Sequence, residues 1–157
     1  MKKRQRWVGA LVLLVAVAVL FGIQIYRPAP DAGLETAEVL TVAADCDVAQ
    51  TACTARGEGL AVELTLGPDA QPMEAFKIRL RTTEDQLPAS AVVELEFRMQ
   101  AMDMGMNRYR LLRNDQGAWT GEATLPVCSS GRSDWLAEVD IRHGGQRWTA
   151  SFPFTAQ

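Results

Sequence analysis

From Gly59 onward, apolar and polar residues alternate with a period of two over seven short stretches, the pattern of strands that bury one face. Residues 60–66, LAVELTL, put Leu60, Val62, Leu64 and Leu66 on one side, and Gly67-Pro68-Asp69 then turns the chain. Residues 75–81 set Phe76, Ile78 and Leu80 inward against Lys77, Arg79 and Arg81. After a polar loop over 82–90, residues 91–99 set Val93, Leu95, Phe97 and Met99 inward against Glu94, Glu96 and Arg98. The same alternation predicts strands over 107–112 with Tyr109 and Leu111 inward, 118–125 around Trp119, 133–142 with Trp135, Ala137, Val139 and Ile141 inward, and 146–154. Asn114-Asp115-Gln116-Gly117 reads as a turn, and two glycines in His143-Gly144-Gly145-Gln146 signal a tight hairpin.

Short strands, closely spaced turns and no helical period predict an all-β domain over 59–157, an immunoglobulin-like antiparallel β-sandwich of about seven strands. The alternation is absent upstream. Residues 27–58 read as a linker, RPAPDAG, followed by a weakly patterned cysteine-containing segment that is either a short helix or a loop.

The N-terminus has a different pattern. MKKRQR, residues 1–6, is a basic flank, and residues 7–26 form an apolar run broken only by Gln24. At roughly 1.5 Å per residue, such a run is long enough to cross a bilayer as a helix. Trp7 and Tyr26 stand at its two ends, where amphipathic rings favour the headgroup level. A signal peptide is the alternative, but its apolar core is usually shorter, about 7 to 15 residues, and ends in a small-x-small site that IQIYRPAPDAG lacks. The expectation is one N-terminal transmembrane helix, a single-pass inner-membrane anchor. The positive-inside rule sends the C-terminal domain to the periplasm.

Charge narrows the partners. Without the four leading cations the chain keeps 12 basic against 19 acidic residues, a net charge of about −7. A nucleic-acid binder would show a basic stripe instead, so none is expected as a partner. The three cysteines, Cys46, Cys53 and Cys128, would lie in an oxidising compartment where one pair closes. Cys46 with Cys53 closes a short loop and is the expected disulfide; Cys128 with either of them is the alternative.

Four of the six methionines fall in MQAMDMGMN, residues 99–107. Thioethers are soft, uncharged ligands that suit Cu(I), whereas methionine is also a common filler of cores. Strand parity separates the four. Met99 continues the inward face of its strand, while Met102, Met104 and Met106 share the outward parity of Glu94, Glu96 and Arg98. Gly105 suggests a bulge that could shift that parity.

The run from Met102 to Ile141 resembles the YtkA-like and FixH-like periplasmic domains, through Met104-Gly105, Leu111, Gly117-Ala118-Trp119, Cys128-Ser129-Ser130-Gly131 and Trp135. The resemblance implies an immunoglobulin-like sandwich related in style to periplasmic copper carriers, some of them linked to assembly of haem-copper oxidases. Those families tend to have methionine where this chain has Cys128, and their histidines are missing here, which favours Cu(I) over Cu(II). The expected metal ligands are Met102, Met104, Met106 and Cys128, with Met99 and Met73 in reserve.

Two functions from different classes follow. One is a membrane-anchored copper-binding or copper-delivery protein, a metallochaperone whose partner is a haem-copper oxidase or another copper carrier. The other is a non-metal interaction domain that docks a membrane complex through a Met-rich patch. An enzyme is not expected. His143 is the only histidine and sits in a turn, no glycine-rich phosphate loop or nucleophile-base set is present, Asp45 and Asp47 read as solvated loop carboxylates, and Asp103 between methionines reads as surface solubility, with help to a cation as the alternative.

Overall fold

The computed structural model describes residues 36–156, apart from 68–69, 84–85, 100–101, 103–104 and 128–130. The basic flank, the apolar run over 7–26 expected to span a membrane and most of the linker therefore lie outside the described residues. The chain divides after Leu34, and the described residues belong to the second unit. They are all-β. No helix among them is long and apolar enough to cross a membrane.

Ten strands follow in order: β1 (Glu38–Val39), β2 (Thr41–Val42), β3 (Cys53–Arg56), β4 (Ala61–Thr65), β5 (Ala75–Thr82), β6 (Val92–Met99), β7 (Arg108–Arg113), β8 (Trp119–Thr124), β9 (Asp134–His143) and β10 (Gln146–Thr155). They form one mixed sheet in the order β1-β10-β9-β6-β7-β8-β5-β4-β3-β2. The sheet wraps into a nearly closed barrel, because its two edges are joined at one seam. Residues 38–42 run from one edge to the other: β1 pairs parallel with β10, Leu40 N–H donates to Thr149 O at 2.8 Å, and β2 pairs antiparallel with β3.

One carboxylate latches this seam. Glu38 accepts bonds from Trp148 Nε1 at 3.0 Å and from the Glu58 backbone N–H at 2.7 Å, so the first strand is tied to both edges. Gly57 fits under it because any Cβ there would collide with Glu38 and the buried Leu40. On the far side β7 bends from one partner to the other. Its residues Arg108 to Leu111 pair with β6, and Leu112 and Arg113 pair with β8.

The core follows the alternation residue by residue. The inward positions of β4, β5, β6 and β9 are all buried, as are Leu111, Trp119 and Trp148, while Lys77, Arg79 and Arg81 are exposed. Phe97, fully buried, is the hub of three edge-to-face ring pairs, with Phe76 at 5.6 Å, Phe154 at 5.8 Å and Tyr109 at 5.9 Å. These rings come from β5, β6, β7 and β10, so one cluster holds the opposite walls of the barrel together.

The turn chemistry also holds. Gly144 and Gly145 take φ of 58° and 80°, which only glycine adopts without strain, and His143 pairs with Gln146 across them. The carboxamide oxygen of Asn114 accepts from the N–H groups of Gln116 and Ala118, both at 3.0 Å, closing the turn at Gly117.

All seven stretches of alternation are strands, and three more precede them. β1 and β2 have two residues each and β3 has four, too short for a period of two to register. The cysteine-containing segment, open between helix and loop in sequence, is built of turns and these short strands. Cys46 and Cys53 form a disulfide, with Cα atoms 5.8 Å apart. That spacing lies within the range a disulfide spans without backbone distortion.

Candidate metal site

Antiparallel pairing decides which loops meet. The start of β5 pairs with the end of β8 through Ala75 and Thr124, the end of β6 pairs with the start of β9 through Met99 and Trp135, and the end of β10 joins them through Thr155 and Asp134. Three loops, 66–74, 100–107 and 125–133, therefore open at one end of the barrel. Their described residues include Met73 in the first, Met102 and Met106 in the second and Val127 in the third.

The disulfide loop lies at the same end. Val48 and Ala49 are buried, Val48 N–H reaches Pro153 O and Val48 O accepts from Leu66 N–H at 3.2 Å, so this loop stoppers the barrel between β4 and β10. Asp47 adds two bonds, from Ala49 N–H at 2.9 Å and from Thr155 N–H at 3.3 Å. The carboxylate read as a solvated loop group is thus partly structural.

The proposed ligands behave differently from one another. Met99 is a core residue, 4% exposed. Met102 is half-buried against the core, and its N–H folds back to Met99 O at 3.4 Å. Met106 is 89% exposed, the largest exposure among the exposed apolar side chains described. Met104 and Cys128 lie outside the described residues; the strands flanking Cys128, β8 and β9, end and begin at this end of the barrel.

Two further exposed apolar residues lie at the same end of the barrel. Met73 is 70% exposed and Val127 is 62% exposed. Met73 is fixed by its backbone: its N–H donates to Leu125 O at 2.9 Å, and Pro72 pairs with Leu125. The end of β8 is tied in turn to the start of β7 by Tyr109. Its hydroxyl donates to Thr124 O at 2.9 Å and lies 3.2 Å from Thr124 N, bridging the gap where β7 has left β8 for β6. Asn107 is buried at the base of the loop, its carbonyl accepting from Phe97 N–H at 2.9 Å, and its Nδ2 has no hydrogen-bond partner among the described residues.

A thioether exposed to this degree contributes almost no packing, so its lone pairs are free to meet a cation. Among the described residues no group of three His, Cys, Asp or Glu side chains could hold a metal ion, while Met73, Met102 and Met106 bring thioethers to this end. Thioethers are soft donors of the kind that suits Cu(I). His143 is remote, since it ends β9 at the hairpin on the opposite end.

The outer face of β6, β7, β9 and β10 is strongly charged. Four of its arginines pair with carboxylates: Arg108 with Glu96 at 2.6 Å, Arg147 with Asp140 at 2.5 Å, Arg142 with Glu94 and Asp140, and Arg98 with Glu138 at 3.4 Å. Bonding to Glu96 and its charge raise the pKa of Arg108 above an already high value. No protein-family model, curated protein or solved structure matches this chain.

Proposed function

We propose that the chain is a membrane-anchored periplasmic copper-binding or copper-delivery protein, and not an enzyme, with Cu(I) as its cargo and Met102, Met104, Met106 and Cys128 as ligands. The observation that carries this reading is Met106, a large apolar side chain left 89% exposed on a loop that shares its end of the barrel with the strands flanking Cys128. Thioethers need no deprotonation to bind, and a cysteine thiolate would add charge, a donor set that selects Cu(I). The inner-membrane anchor and the delivery to a haem-copper oxidase or another carrier rest on the apolar run over 7–26 and on the family resemblance.

The immunoglobulin-like reading of the fold is supported by the connections of β4 to β10. β5 and β8 pair although two strands separate them in sequence, as do β6 and β9, which is Greek-key wiring of the kind immunoglobulin-like sandwiches use. The first described strand starts near the hairpin end of the barrel. Glu38 pairs with Trp148, two residues from the β9–β10 hairpin, and β1 runs toward the methionine loops.

Titration of the full chain with Cu(I) under reducing conditions tests the function. Stoichiometric uptake that is lost when Met102, Met104 and Met106 all become Leu is the expected result; no uptake, or uptake indifferent to the substitutions, removes the copper reading. The docking alternative is favoured by a separate observation, the shared exposure of Met73, Met106 and Val127 at one end. Leucine preserves an apolar patch and removes the sulfur, so partner capture that survives the triple substitution in a chain that takes up no copper identifies a docking surface.

A further inference from the structure

We infer that Met73 supplies a cross-loop thioether to the Cu(I) site, so that the described part of the site is Met73, Met102 and Met106, drawn from two loops. This inference rests on the copper reading and assigns it a ligand that the methionine run does not contain.

Three independent observations converge on Met73. It and Met106 are the only methionines among the exposed large apolar residues described, and the topology places both at the loop end, where Val127 of the third loop is also exposed. Its backbone is anchored to the strand leading into the Cys128 loop, through the Leu125 bond at 2.9 Å and the Pro72 pairing. Finally, Met73 is the only non-glycine residue among those described with positive φ, at 66°. Glycine takes that conformation without strain, and methionine does not. A side chain that costs backbone strain and gains no burial is explained if the side chain itself has a task.

The task fits the atom. Methionine is long and unbranched, so a fixed backbone still lets its sulfur adjust to a metal. Binding uses a sulfur lone pair, breaks no bond and releases no proton, so the methionine contribution is independent of pH, unlike that of a cysteine, which must lose its proton first. Three thioethers around one ion make a soft, open site able to hand the ion on to a carrier with stronger donors.

The test is competition of the full chain with a chromogenic Cu(I) chelator under reducing conditions, with sulfur neighbours counted by copper X-ray absorption. Met73→Leu should weaken Cu(I) binding by at least about tenfold, the loss that even an outer-shell partner brings to a metal site, and should lower the sulfur count. Leu112→Ala, at an exposed apolar position outside these loops, should change neither. Unchanged affinity and sulfur count in Met73→Leu, while Met102→Leu or Met106→Leu weakens binding, overturns the role of Met73 and leaves the copper reading in place. No Cu(I) uptake by the unsubstituted chain overturns both.

Discussion

The barrel wall and the loop end use the same kind of residue for opposite purposes. In the wall, Phe97 is fully buried and touches rings from three other strands, and Met99, at the last position of the same strand, is 4% exposed. Seven residues later, Met106 is 89% exposed. Burial of a large apolar side chain is worth roughly 1.5 to 3 kcal/mol, and at the loop end that gain is forgone at both Met73 and Met106. The contrast teaches that the methionines are not one cluster. Some are structure, and others are available to a ligand.

Substitutions in the wall should therefore cost stability and spare the loop end, and the reverse should hold at the loops. The largest effect is expected at the hub: Phe97→Ala should destabilise by about 3 to 5 kcal/mol, read by chemical denaturation, because a cavity opens between opposite walls. Next comes the stopper. Replacing Cys46 and Cys53 by Ser releases a short loop and should cost about 2 to 3 kcal/mol. That loss would break the comparison if it also abolished Cu(I) uptake in chains still folded by circular dichroism, since the disulfide loop would then be part of the site.

Met73→Gly should act in the opposite direction, stabilising the fold by about 0.5 to 1 kcal/mol through relief of the left-handed backbone while weakening copper binding. A stabilised variant with undiminished affinity would show strain without purpose. Met106→Leu should leave stability within about 0.5 kcal/mol of the parent, as expected for an exposed site, while copper affinity falls.

The smallest effect concerns acid. Arg132 bonds to Asp134 at 2.9 and 2.5 Å at the start of β9 and holds that carboxyl below its ordinary pKa. A lowered pKa means that the pair stabilises the fold above the ordinary carboxylate range and ceases to do so as pH falls through the lowered value. Asp134→Asn should thus lose slightly less stability than the parent between neutral pH and about pH 3, in parallel thermal melts. Both groups are solvated, so the difference should be small.

Much of the wall was legible in the chain. A period of two is a statement about which residues share a face, and burial punishes any shift of register by one, so Val93, Leu95, Phe97 and Met99 could be placed inward without knowing their partners. The disulfide was legible for a similar reason: seven residues of separation make a short loop whatever surrounds it. β1 and β2 were not legible, because pairing of two residues with β10 and β3 depends on edges that exist only after the barrel has formed. Met102 shows the limit of parity. Its chain folds back onto Met99 instead of running on as a strand, and it ends half-buried.

By itself, the sequence determined the all-β class, the inward faces of seven strands, the tight turns at glycine pairs and the presence of soft donors, since each follows from contacts along the chain or from side-chain chemistry alone. Only the tertiary structure decided that the loops carrying Met73, Met106 and Val127 open at one end, that Met73 is held there by Leu125, and that the disulfide loop closes the barrel beside them. Those facts depend on which strands pair across large separations. Pairing is chosen by the whole core at once and leaves no mark on any single stretch of residues.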